Sequence, residues 1–300
     1  MNIKKSLAGW LFTGAVFLTL PVVAQQNLSN VQIRTTELAE NVYMLAGAGG
    51  NIGVSVGADG VFIIDDQFAP LSEKITNAIA ALSDKPVSYV VNTHWHGDHT
   101  GGNENFGASG AVIVAHENVR ERMSTKQFIK AFLREVPASA NGALPVVTFS
   151  DNATFYFNGL QIQVIHIPTA HTDGDSIVMF TEANVLHMGD TFFNGFFPFI
   201  DQSSGGTLDG VIRAAETSLS MIDDDTVVIP GHGPVSGKAD LEAYLSMLVE
   251  VKAIMMPLAS QPREEVISAN PLAELGETWG NGFMKTDVFT AIVFDMLSDE

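Results

Sequence analysis

Thr93-His94-Trp95-His96-Gly97-Asp98-His99-Thr100-Gly101-Gly102 gathers three imidazoles and a carboxylate into one short run. Just before it, Val87-Ser88-Tyr89-Val90-Val91 is apolar and β-branched and is opened by Pro86, a pattern that predicts a buried strand. The histidines therefore begin where a strand ends. Alternate side chains share a face of extended backbone, so His94 and His96 reach one ion together. Gly97 lets the chain turn, and Asp98 and His99 then face a second ion beside the first. Neutral imidazole and carboxylate are ligands that zinc takes near neutral pH, and a catalytic site keeps one position open for water.

Three further segments each put one metal-competent side chain just past an apolar strand. Leu160 to Ile167 runs into Pro168-Thr169-Ala170-His171-Thr172-Asp173-Gly174-Asp175, with His171 in a turn. Val185-Leu186-His187-Met188-Gly189-Asp190-Thr191 ends a second strand on an acid. Val227-Val228-Ile229-Pro230-Gly231-His232-Gly233-Pro234 ends a third on a histidine between glycines. Open sheets carry their sites at strand ends in this way. Taken singly each is an ordinary loop residue; taken with the first motif they complete a two-metal ligand set.

Together these segments resemble the metallo-β-lactamase superfamily over roughly Val42 to Pro234, with the motifs in the family's order. The resemblance implies that His94, His96 and His171 hold a first metal, that Asp98, His99 and His232 hold a second, and that Asp190 bridges them. It implies two zinc ions as cofactors, with iron or manganese suited to the same donors. It also makes Asp65, at the end of Val61-Phe62-Ile63-Ile64-Asp65-Asp66, a partner for a ligand imidazole. The residues alone leave Asp65 equally open as a surface or capping acid.

Departures from the family narrow the branch. The chain has no cysteine, which sets it apart from the lactamases with a cysteine at the second metal. Asp190 in its Gly-Asp-Thr setting looks more like the bridging acid of the glyoxalase II, lactonase and phosphodiesterase branches. Three residues beyond it stands Phe193, where those lactamases carry a lysine for the drug's carboxylate.

The N-terminus reads as a secretory leader: Lys4 and Lys5, an apolar run from Leu7 to Val23, then Val22-Val23-Ala24 before Gln25-Gln26. Residues 1–24 are the expected signal peptide and residues 25–300 one domain, placing the mature chain in the periplasm or outside the cell, without a membrane anchor. An uncleaved anchor is the alternative, since the run approaches the length of a short spanning helix. With 34 acidic against 15 basic residues the net charge is −19. Such a field repels phosphate backbones and argues against nucleic acid as substrate. A small-molecule substrate is expected; no signal speaks to the oligomeric state.

Along the chain, strand-like runs at Val31 to Thr36, Asn41 to Ala46, Asn51 to Val56 and Gly60 to Ile64 predict a meander. Leu71 to Leu82 has helical spacing, Asn103 to Phe106 opens a short helix, Ala111 to Ala115 is a strand, and Glu117 to Glu135 reads as mainly helical. Strands follow at Ala153 to Phe157, Leu160 to Ile167, Ser176 to Thr181 and Asn184 to Met188. Helices are expected over Leu208 to Met221, Ala239 to Met256 and Asp287 to Leu297. Strands followed by helices in both halves fit an α/β protein, and the family resemblance implies a four-layer αββα sandwich.

Around this centre, His116 reads as a cap, and His166 and His187 as satisfied core histidines. The run Thr191 to Ser204 holds five phenylalanines; Phe192, Phe193, Phe196 and Phe197 either wall an apolar substrate pocket or pack the loop onto the sheet. Gly47-Ala48-Gly49-Gly50-Asn51 is a candidate flap, and Lys238 either holds a substrate carboxylate or faces solvent. The leading expectation is an exported dinuclear zinc hydrolase. Its two ions would lower the pKa of a shared water and give a metal-bound hydroxide that opens a lactone, ester, thioester or β-lactam, with Asp98 as the catalytic carboxylate. The alternatives are an iron-dependent oxidoreductase resembling the superfamily's persulfide dioxygenases, a phosphodiester or sulfate-ester hydrolase, which scarce basic residues disfavour, and a metal-binding protein without catalysis.

Overall fold

In β4 (Gly60–Ile64) all five residues are buried, yet they serve two different cores: Val61 and Ile63 point one way, Phe62 and Ile64 the other. Period-two alternation with both faces apolar is what a strand covered on both sides requires. The computed structural model describes residues 28–298, so the expected leader, residues 1–24, lies outside the described residues.

β1 (Arg34–Ala39), β2 (Val42–Ala46), β3 (Ile52–Gly57) and β4 form an antiparallel meander. α1 (Ser72–Ala80) then crosses over to β5 (Val87–Asn92), parallel to β4. The short α2 (Gly97–Thr100) and α3 (Asn103–Ala108) lead to β6 (Val112–His116), α4 (Glu117–Ser124) and a small hairpin of β7 (Gln127–Ile129) and β8 (Arg134–Val136). β9 (Val147–Phe149) closes the first sheet, in the order β1-β2-β3-β4-β5-β6-β9. The second sheet comprises β10 (Asn152–Phe157), β11 (Leu160–His166), β12 (Ser176–Phe180), β13 (Val185–His187), β14 (Val227–Ile229) and β15 (Ser236–Gly237), neighbours in that order. α5 (Leu208–Met221) joins β13 to β14, and α6 (Lys238–Met255), α7 (Arg263–Ala269), α8 (Ala273–Trp279) and α9 (Thr286–Ser298) follow.

Three apolar layers separate four layers of structure. Ile75, Ile79 and Phe106 pack α1 and α3 on the first sheet. Phe62, Ile64 and Val91 of the first sheet meet Val164, Val178 and Ile229 of the second. Ile177, Leu186 and Val228 on the far face of the second sheet meet Val211, Tyr244, Leu248 and Phe289 of α5, α6 and α9. The result is the four-layer αββα sandwich. Among the described residues, no helix is long and apolar enough to cross a membrane.

Register brings the strand ends to one edge. Ile64 pairs with Val91, so Asp65 and Thr93 emerge level. His187 pairs with Ile229 in parallel, which sets Asp190 and His232, each three residues on, side by side. The β11–β12 turn carries His171 at the same edge, and Ser176 N–H donates to the Thr93 carbonyl across the two sheets at 2.8 Å.

The helix expected from Glu117 to Glu135 stops at Ser124. Ser124 and Thr125 hydroxyls both donate to the Glu121 carbonyl, and Gln127 Nε2 donates to that of Arg122. Side chains thus satisfy the last-turn carbonyls, Thr125 turns extended, and the following residues pair as the β7–β8 hairpin. The first strand begins at Arg34 rather than Val31, while β9, α7 and α8 were not anticipated.

Candidate metal centre

Asp65 is fully buried behind the first motif and accepts from Thr93 N at 2.7 Å, Thr93 Oγ1 at 2.8 Å and His99 Nδ1 at 2.8 Å. Because Thr93 Oγ1 spends its proton on Asp65, it accepts from His94 Nδ1 at 3.1 Å. His171 Nδ1 donates to the Phe199 carbonyl at 2.7 Å, and His96 Nε2 to the Asp201 carboxylate at 3.1 Å. Each outer ring nitrogen is thereby the protonated one, and the inner nitrogens of His94, His96 and His171 carry lone pairs in the neutral ring.

Those inner nitrogens converge. His96 Nδ1 lies 3.1 Å from His94 Nε2 and 2.9 Å from His171 Nε2, while Asp190 Oδ2 lies 3.7 Å from His94 Nε2 and 3.6 Å from His171 Nε2. Burial, the largest influence, holds His94 below its ordinary pKa and His171 down to about 4, so both are neutral at physiological pH. Four acceptors aimed at one point in a dry interior repel one another unless a cation sits among them. Three imidazoles and one carboxylate are a donor set that suits a divalent ion such as zinc.

A second set adjoins it. His99 Nε2 stands 3.0 Å from Asp190 Oδ1 and 3.7 Å from Asp98 Oδ2; His232 Nε2 stands 3.4 Å and 3.3 Å from the same two oxygens. The ligand atoms of His94, His96, His171 and Asp190 all lie within 4.8 Å of one another, as do those of Asp98, His99 and His232. Asp190 turns one oxygen to each half, as a bridging carboxylate must. Burial disfavours charge here too, but the neighbouring carboxylates outweigh it. They raise His99 well above its ordinary value and His232 to about 9. Asp98 and Asp190, pushed up by burial, are held well below the carboxylate range by those imidazoles.

Close backbone approach completes the centre. A side chain at Gly50 would strike the His99 ring, and one at Gly231 would strike Asp190. The expected flap, Gly47 to Asn51, is tied down at its far end. Gly50 N donates to the Asp98 carbonyl, and Gln67 Nε2 donates to the Gly50 carbonyl at 2.6 Å. Asn51 Nδ2 donates to Pro230 O at 2.9 Å and Gly233 O at 3.0 Å, stapling the His232 loop to the meander. Asp201, Asn51 and Gln67 were missed by sequence reasoning. Asp201, an acid between an apolar run and two serines, is the one that offered a signal.

The aromatic run divides. Phe193, fully buried, stacks on His232 at 5.3 Å and 17°, and Phe196 alone of the four lines the open groove. Phe192 and Phe197 do not wall that groove: both are fully buried, Phe192 against Tyr244 and Phe197 stacked on Phe289 at 4.5 Å, so they pack the loop onto the helices. Phe283, unremarked in the sequence, supplies a further exposed ring 6.2 Å from both His232 and Phe196. His116 caps α4 by accepting from Asn118 N and stacks on His166 at 3.7 Å. His187 is buried and donates to Asn51 O. Lys238 pairs with Asp224 at 2.6 Å and takes no part in the centre.

A sequence profile of the metallo-beta-lactamase superfamily matches residues 36–232, which spans every ligand described above. The chain belongs to this superfamily. A linear primary-alkylsulfatase from a Pseudomonas species is 26% identical over 226 residues, 63% of this chain and 42% of that enzyme. A hydroxyacylglutathione hydrolase from a Polaromonas species is 27% identical over 164 residues, 54% of this chain and 55% of that one. The chain thus spans about half the length of these relatives. The solved metallo-beta-lactamase from Pontibacter korlensis superposes with a TM-score of 0.58 at 22% identity, over 73% of this chain and 99% of that one, a likeness of fold. The matched range contains both clusters.

Proposed function

We propose that the chain is an exported, single-domain dinuclear zinc hydrolase that opens an ester, thioester or lactone. The observation that carries this reading is the split of Asp190, with one oxygen toward each ring cluster. Two divalent ions held there would bring a bound water's pKa toward neutrality and polarise a carbonyl oxygen. The chain's own residues do the rest. Asp98 is an ionised carboxylate with a partly exposed side chain beside His232, placed to orient a water and take its proton. Phe196 and Phe283 offer apolar surface beside His232 for an acyl or leaving group. The hydroxyacylglutathione hydrolase relative supports a thioester or ester substrate. The alkylsulfatase relative favours sulfate esters as a second reading.

Purification from the periplasm, metal analysis, and a panel of thioesters, lactones, chromogenic β-lactams and alkyl sulfates test the proposal. Two zinc per chain with thioester or lactone turnover is the expected result. Full metal occupancy with no turnover on any of them would refute it.

A further inference from the structure

A groove of about 950 Å³ runs from His232 past Phe196, Met44 and Val235 to the start of β1, and Arg34 closes its far end. Arg34 sits opposite Ala46, and Thr36 opposite Met44, on β1 and β2. Directly opposed residues project on the same face, and Met44 and Ala46 pack in the layer between the sheets. Arg34 therefore projects on the face where the sandwich opens into the groove. Among the groove's lining residues it is the sole permanently charged side chain.

Five other cations of this acidic chain are committed to carboxylates, Arg122 to Asp173, Lys126 to Glu135, Lys238 to Asp224, Lys252 to Asp209 and Arg263 to Asp295, and Lys74, Arg120 and Arg213 donate to backbone carbonyls. Arg34, exposed, forms no ion pair or hydrogen bond among the described residues. A net charge of −19 repels small anions in general, so an unpaired guanidinium at the groove's end marks one place where an anion is welcome. Its planar fork matches a carboxylate in two parallel hydrogen bonds.

We infer that Arg34 is a specificity residue that holds a carboxylate carried by the substrate remote from its scissile bond, so that the enzyme prefers anionic acyl esters over neutral ones. This rests on the hydrolase reading above and adds the substrate's charge to it. The groove's apolar sides take the methylene chain between carboxylate and ester, and its volume is in the range that small-molecule sites occupy.

The test compares 4-nitrophenyl monoesters of succinate, glutarate, adipate and suberate with neutral acyl esters of equal chain length, in wild type, Arg34→Ala and Arg34→Lys. At the best length the wild type should favour the acid by about tenfold in kcat/KM, carried by KM. The ratio should fall to near one in Arg34→Ala and partly survive in Arg34→Lys. Because both esters use the same metals and the same fold, a general defect cancels in the ratio. An unchanged ratio in Arg34→Ala at every length overturns the inference. If no nitrophenyl ester is hydrolysed, the ester branch of the hydrolase reading fails and calorimetry on the zinc-loaded protein decides the rest. Binding of adipate monoanilide over hexananilide that is lost in Arg34→Ala upholds the anion site, and equal binding in both proteins overturns it.

Discussion

The half of the centre built from His94, His96 and His171 is buried and holds His94 and His171 neutral, whereas the half built from Asp98, His99 and His232 opens on the groove at His232 and holds its imidazoles protonated. The carboxylates account for the difference. His94 and His171 are backed by a hydroxyl and a backbone carbonyl, which fix ring orientation without adding charge, and in this half only His96 has a carboxylate, Asp201, behind it. His99 has Asp65 behind it, and it shares Asp98 and Asp190 with His232 in front. One half is therefore suited to retaining an ion, and the other to exchanging protons and meeting substrate.

Asp190 is the one ligand common to both halves, so its loss should erase the distinction. In Asp190→Asn the metal content should fall well below two per chain. Turnover should drop by more than the roughly hundredfold that an outer partner of a ligand costs. Metal analysis beside kinetics checks this. Retention of two ions would show that the bridge is dispensable.

Asp98→Asn separates the halves. The first half keeps all its donors, so one tightly held ion should remain, while turnover falls by about 10²–10⁴ through loss of the water-orienting carboxylate. The melting temperature should stay close to native, because the side chain is partly exposed and the fold does not rest on it. Near-native activity would move the proton-handling role elsewhere.

The same asymmetry shows what was legible in the sequence. His94, His96, Asp98 and His99 announce themselves because they are local, and His171, Asp190 and His232 because each ends an apolar strand. The acid behind His96 was not legible, because Asp201 lies 105 residues away and reaches the ring through a loop without periodicity. Aperiodicity also hid which phenylalanines face the groove: Phe196 does, Phe193 is buried against His232, and Phe192 and Phe197 turn to the helices. The family resemblance supplied the four layers, and strands followed by helices in both halves were visible. The break in the expected helix was not, since it depends on three side chains folding back on their own carbonyls.

Outer carboxylates allow a paired test. Asp201→Asn should weaken the first half and Asp65→Asn the second, each by about 10–100-fold in metal affinity. Competition with a chromogenic chelator reads the two affinities separately. Equal losses at both halves in either variant would mean that the two sets act as one unit. Asp65 also holds Thr93, and through it His94, so some spread from the second half to the first is expected. The Asp201 carboxylate bonds His96 alone among the ligand side chains, its contact to His171 being a backbone one that the substitution keeps, and its effect should be the cleaner of the two.

Acidity offers the gentlest way to pull the halves apart. Without metal, His232 keeps its second proton up to about pH 9, and His99 is raised in the same direction. An ion entering that half must expel the proton, so below pH 9 its affinity should fall about tenfold for each pH unit and each proton released. In the first half His171 titrates at about 4 and His94 is also held low, so protons compete for those two rings only in strong acid. Lowering the pH from 9 to 6 at fixed chelator should therefore carry occupancy from two ions toward one, with activity following the second. Proton release on metal binding, followed in weakly buffered solution, should come from the second ion and not from the first. Parallel loss of both ions would mean that the carboxylates around His99 and His232 do not set their charge.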